Sequence, residues 1–282
     1  MKNNQCNICP RKCKIDRTLN VGFCNEKETI KIAKTIKNFK WEEPCLADDR
    51  GTFAIFFSGC NLRCDYCQNY QISRGSVGQE FSIDEFCKLI EENQNLHSSI
   101  DLITPTHFSK QLIEAFRKID KKIPIIWNTN GYETVETIQN VSSFVDVFLT
   151  DLKYSNDQLG KKFSKCSDYF SHTLPAIKSM CNLKPDIEEN DILKQGVIIR
   201  HLVLPNHITN SFDVLDIIKK EFPTRKISIM SQFTPNGQGE LNRKLTKIEY
   251  KAVLSHLKKL NLQNGFIQDF ESADNSFVPN FD

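Results

Sequence analysis

The chain has 282 residues, 39% hydrophobic and 26% charged, which suits one large globular domain or one domain with a small appendage. Its 37 basic and 35 acidic residues leave a formal charge of +2, so no polyanion-binding face is advertised and nucleic acid is not an expected partner. No apolar stretch follows the polar start MKNNQCNICPRKCK, and no later run approaches the roughly 20 residues of a bilayer span, so a cytoplasmic protein without a membrane partner is expected.

Residues 1–50 read as a cysteine-rich, basic segment, and Gly51 opens the buried strand TFAIFFSG, which places a boundary near residue 50 and a second domain over 51–282. Strand-like and helix-like runs then alternate. DLITP precedes HFSKQLIEAFRKI; IPIIWN precedes a segment starting at Tyr132; VDVFLTDLK precedes SDYFSHTLPAIKSM. GVIIRHLVLP, SFDVLDIIKKEF, KISIMSQF, TKIEYKAVLSHLKKL and GFIQDF continue the pattern. Ser82 with Glu85 and Thr246 with Glu249 form capping boxes that predict helix starts. The alternation predicts an α/β fold with a parallel sheet, open or closed into a full or partial barrel. The stretch KPDIEENDILKQG reads as an exposed acidic insertion loop.

Eleven cysteines in a large chain, seven of them in two tight groups, point to metal or cluster ligation rather than disulfides. Cys60, Cys64 and Cys67 follow a predicted strand with spacing C-x3-C-x2-C. Three thiolates on one turn can bind three irons of a cubane and leave the fourth iron open. The competing reading is a zinc knuckle, but closed zinc sites take four protein ligands. Cys6, Cys9, Cys13 and Cys24 form a second group in a segment too short for its own core. They suit either zinc or an auxiliary 4Fe-4S cluster, against the alternative of unligated thiols. Cys87 and Cys181 read as core residues; Cys45 and Cys166 are either inert or close enough to donate hydrogen to a radical.

The stretch GTFAIFFSGCNLRCDYCQN resembles the signature loop of the radical S-adenosylmethionine superfamily, specifically activating enzymes of the pyruvate formate-lyase type, which have an aromatic residue where Tyr66 stands. NTNGY, DLKYSN and IRHLVLPN match in order, so the resemblance covers roughly residues 51–270. LITPTHF departs from that family's glycine- and glutamate-bearing stretch. Together with WEEP and MSQF it resembles a less characterised subgroup.

The resemblance implies a partial β/α barrel, a 4Fe-4S cluster on Cys60, Cys64 and Cys67, and S-adenosylmethionine cleaved to a 5′-deoxyadenosyl radical. It further implies cofactor contacts from Tyr66, Thr104, Thr106, Asn130, Asp151 and Lys153, with Arg200 paired to the cofactor's carboxylate. Thr104, Pro105 and Thr106 would act through backbone carbonyls, whereas His107 is either a structural hydrogen-bonding group or a substrate contact. A flavodoxin or ferredoxin as electron donor and a glycyl-radical enzyme as protein substrate are the partners implied. Modification of another peptide or a small molecule is the second enzymatic reading, and a non-catalytic metal-binding or redox-sensing protein is the rival from another class.

Overall fold

The computed structural model describes residues 5–40, 42–75, 77–235, 240–272 and 281. Trp41 of the WEEP stretch lies outside them. In chain order the elements are β1 (Ile30–Phe39), β2 (Thr52–Phe57), α1 (Tyr70–Arg74), β3 (Gln79–Phe81), α2 (Ile83–Gln94), β4 (Ser99–Ile103), α3 (Ser109–Lys118), β5 (Ile125–Thr129) and α4 (Val135–Val141). There follow β6 (Val147–Asp151), α5 (Asp157–Ser164), α6 (Tyr169–Leu183), β7 (Ile187–Glu189), β8 (Ile192–Leu202), α7 (Ile208–Glu221), β9 (Lys226–Met230), α8 (Lys247–Lys259) and β10 (Gly265–Ile267).

The strands lie in the order β10-β9-β8-β6-β5-β4-β2-β1-β3, parallel from β2 to β10. β1, from the segment before residue 50, joins antiparallel to β2 and carries β3 on its other side. This is the mixed α/β partial barrel that the alternation predicts. Both capping boxes are formed, at the starts of α2 and α8, and each N-cap side chain stabilises its helix by ~1 kcal/mol.

Period-two alternation divides the strands between two layers. Phe53, Ile55, Ile100, Leu102, Trp127 and Phe148 face the helices in the main apolar core. Ile126, Val147, Leu149 and Ile198 face inward and meet Cys45 and Leu46, on a short 3-10 turn at Pro44–Leu46, which plugs one end of the barrel. Ser99 Oγ fastens that plug by donating to the Leu46 carbonyl at 2.8 Å.

One expectation is corrected. The acidic stretch after α6 is not a loop: β7 and β8 form a hairpin through Asn190 and Asp191, whose φ values are +51° and +62°. Two consecutive left-handed residues of the Asn/Asp type make the tight turn whose twist matches the flanking strands.

Candidate active site

The C-terminal ends of the parallel strands and the loop after β2 enclose a cavity of about 610 Å³. Cys60, Cys64 and Cys67 all line it. Their loop turns at Gly59, where φ is +83° and a Cβ would stand 2.4 Å from the Cys24 carbonyl oxygen, so only glycine fits. The amides of Arg63 and Asp65 donate to Ser164 and Phe163 at the end of α5. The Cys60 amide donates to the Cys24 carbonyl at 3.3 Å. The loop is thereby held from two directions.

Each thiol has a polar neighbour from the protein. The Leu62 amide lies 3.4 Å and Asn130 Nδ2 3.5 Å from Cys60 Sγ; Ser164 Oγ lies 2.9 Å from Cys64 Sγ and Ser73 Oγ 3.5 Å from Cys67 Sγ. Burial pushes the Cys60 thiol up to about 12 and the Cys64 thiol to about 11, so ionising them takes a bound cationic centre. Among the described residues no three His, Cys, Asp or Glu side chains converge on a single metal ion. A cubane would give each thiolate its own iron, so three separate donors on one loop fit it.

Ser164 also belongs to a hydrogen-bonded chain with Tyr154 and Tyr66, at 2.7 and 2.8 Å. A hydroxyl donating to a ligand sulfur stabilises the more negative, reduced cluster. Ser164→Ala is expected to lower the cluster's midpoint potential by some tens of millivolts, since ~1 kcal/mol corresponds to roughly 40 mV for one electron. A redox titration followed by electron paramagnetic resonance measures it; an unchanged midpoint would exclude this role.

Lining the same cavity as the cysteines, Asp151 at the end of β6, Lys153 just beyond it and Arg200 on β8 form one charged cluster. Lys153 Nζ pairs with Asp151 Oδ2, and Arg200 Nε donates to Asp151 Oδ1 at 2.9 Å. Arg200 Nη1 reaches Glu42 at 2.7 Å and Nη2 reaches Asn128 Oδ1 at 2.6 Å. One N–H on each terminal nitrogen is left over, the pair that a carboxylate engages in a bidentate contact. Burial opposes ionisation of Asp151, yet Lys153 and Arg200 hold its carboxyl below the usual range.

Tyr66, Thr104 and Asn130 line the same cavity, Thr104 with φ of +58°. The Thr106 hydroxyl turns elsewhere, donating at 2.6 Å to the buried Glu133. Cys45 is in the plug, and Cys166 is in the apolar cluster that backs the cysteine loop with Leu62, Tyr66 and Phe233; neither itself lines the cavity. His107 is a latch: Nε2 bonds the Ser58 carbonyl at 2.6 Å, and its own carbonyl accepts from Arg17 of the amino-terminal segment.

In that segment the Cys6 amide donates to Ile15 and the Lys14 amide to Cys6, forming a knuckle. A Cβ on Gly22 would stand 3.2 Å from Cys24 Sγ and 3.8 Å from Cys13 Sγ. The four amino-terminal cysteines lie apart from the cavity lining. Glu43 and Asn128 lie in the WEEP and NTNGY stretches, yet sequence reasoning does not single them out as site residues, and Asp101 and Ser164 are not picked out at all, although Asp101 is an acidic residue inside an apolar strand.

A partial β/α barrel with a three-thiolate loop at its open end defines a cluster-bearing barrel protein. Residues 54–185 match the radical SAM superfamily. An uncharacterized protein of Methanocaldococcus jannaschii is 30% identical over 273 residues, covering 91% of this chain and 75% of that protein. The chain belongs to the radical SAM superfamily, which implies a 4Fe-4S cluster and S-adenosylmethionine. Its fold is similar to a radical SAM methyltransferase from Sphaerobacter thermophilus, with a TM-score of 0.56 at 10% identity over 83% of this chain and 68% of that one. It is also similar to Streptococcus suis SuiB bound to the precursor peptide SuiA, with a TM-score of 0.51 at 10% identity over 79% of this chain. This chain covers 51% of the SuiB chain. Among the described residues no helix is long and apolar enough to cross a membrane.

Proposed function

We propose that this protein reductively cleaves S-adenosylmethionine and directs the resulting radical to remove a hydrogen atom from a substrate held in the barrel. The observation that carries this reading is the meeting of Cys60, Cys64 and Cys67 with Asp151, Lys153 and Arg200 around one cavity. When bound, the reduced cluster supplies one electron to the sulfonium. The chain's own residues orient the cofactor: the two remaining N–H groups of Arg200 engage its carboxylate and Lys153 offers a donor beside the cysteine loop, while the Asn130 amide, committed to Asn61 and Cys60, borders the site. The ordered DLKYSN and IRHLVLPN stretches support an activating-enzyme-like activity on a protein glycine, with a flavodoxin or ferredoxin as electron donor. A second reading, an enclosed smaller substrate or peptide side chain, is supported by the charged inner end of the cavity. Anaerobic reconstitution with iron and sulfide, reduction, and assay for 5′-deoxyadenosine test the common core; no product above an unreconstituted control would reject it.

We also propose that Cys6, Cys9, Cys13 and Cys24 bind one metal centre, zinc or an auxiliary 4Fe-4S cluster; the cluster, which gives each thiolate its own iron, suits them better, since no three donors among the described residues converge on one ion. The knuckle has few large apolar residues to offset ordering costs of about 1–2 kcal/mol per residue, and the thiols of Cys13 and Cys24 flank the space left by Gly22. A Cys9→Ala/Cys13→Ala variant is expected to lose one metal centre and become protease-sensitive over residues 5–30. The cluster loop survives in it because α5 still holds Arg63 and Asp65. Separate iron and zinc analysis with limited proteolysis checks both halves; unchanged metal content would sink the assignment.

A further inference from the structure

The inner end of the cavity has more carboxylates than the protein has cations to pair with them. Glu42 and Glu43 enter from the chain just before the plug and Asp151 stands on β6, all three lining the cavity, while Asp101 on β4 lies behind that lining. The only cationic side chains lining the cavity among the described residues are Lys153 and Arg200. Both are already engaged, Lys153 with Asp151 and Arg200 with Asp151 and Glu42. Glu43 is 8% exposed and Asp101 is fully buried. Glu43 Oε2 and Asp101 Oδ1 find no hydrogen-bond partner among the described residues. Asp101 keeps only the Asn128 amide, which donates to its other oxygen at 3.2 Å.

Two buried carboxyl groups with an unpaired oxygen each are a costly arrangement for a closed core, because a buried acceptor without a donor forfeits ~1–3 kcal/mol. Burial, with Glu42 adding to it, pushes Asp101 well above the carboxylate range; burial pushes Glu43 up to about 7 against the pull of Arg200. The register places this layer deeper than the cysteine loop. Asp101 lies two residues before Ile103, and Ser228, beside Glu43, lies two before Met230. Phe56, Ile103 and Met230 form apolar wall above the layer, and Phe266 lies level with Ser228. An apolar shaft ending on unpaired carboxylates fits an aliphatic stem with a cationic head.

We propose that the inner end of the cavity, at Glu43 with Asp101 behind it, binds an organic cation, the alkylammonium or guanidinium group of the substrate. This rests on the reading of the cavity as the place where substrate meets the cofactor. Glu43 is then a specificity-determining residue, whose free oxygen accepts from the head group while the stem brings a C–H bond toward the cysteine loop.

The test is equilibrium binding to reconstituted protein saturated with S-adenosylmethionine. The probes are n-butylammonium and methylguanidinium, compared with n-butanol, butyrate and potassium chloride at equal concentration. The organic cations are expected to bind at least tenfold more tightly than the alcohol, the carboxylate or potassium. Glu43→Gln is expected to erase that preference, and Asp101→Asn to reduce it, so a misfolded variant at one position leaves the other to decide. Equal binding of potassium, no preference for the cations, or cation binding that appears only when S-adenosylmethionine is left out would each overturn the proposal, the last by assigning these carboxylates to the cofactor's ammonium. Cation binding without 5′-deoxyadenosine formation would reject the proposed function while leaving this site, and the reverse result would reject the site alone.

Discussion

Cys64→Ala is expected to reduce 5′-deoxyadenosine formation to background. Cys64 is the middle ligand of the loop, and its sulfur is the one approached by Ser164, a hundred residues away on α5. Its loss leaves two thiols on a loop that can no longer complete three sites of a cubane. The loop backbone keeps its hydrogen bonds to α5 and to Cys24, so the fold should survive and the loss should read as chemistry. Iron and sulfide analysis together with product assay after anaerobic reconstitution decides it. Wild-type product formation by the variant would show that the cluster is elsewhere.

Arg200→Ala is expected to be costly in two separable ways. The guanidinium pairs with Asp151 and Glu42 and donates to Asn128, and at 9% exposure it has little water to replace it. Removing one partner of such a buried network destabilises by about 3–5 kcal/mol, because the carboxylates are left uncompensated. A denaturant titration should show that loss. Arg200→Lys should recover part of the stability, since it restores the charge, but not the cofactor affinity, since a point charge cannot present the fork. Binding of S-adenosylmethionine is expected to weaken at least tenfold in both variants while iron content stays near normal. Loss of iron with the arginine would instead place Arg200 in support of the cluster loop.

The parts of the site that were legible in the sequence are those set by local spacing. C-x3-C-x2-C places three thiols on one turn, and charged residues at strand ends, Asp151 and Arg200, are brought together by parallel register across β6 and β8. What could not be read depends on contacts distant in sequence. Arg17 latches onto His107 across 90 residues, and Ser164 onto Cys64 across 100. No pattern within either segment announces its partner. The acidic stretch at 184–196 is exposed around its turn, as its composition predicts, but that composition reads as a loop, whereas the turn chemistry of Asn190 and Asp191 makes it a hairpin. Asp101 was visible as an oddity in DLITP, but only the neighbouring strands reveal that it lies among carboxylates rather than beside a base.

The sheet runs from β3 to β10 without a ladder joining those two strands among the described residues, and each is only three residues long. An unpaired strand edge is a template on which another chain can add, and shortness is one of the ways proteins blunt it. The barrel can therefore stay open along this side without presenting a long row of free backbone groups to other molecules. Lengthening either terminal strand, for example in a redesigned variant with added β-branched residues, would trade that protection for self-association.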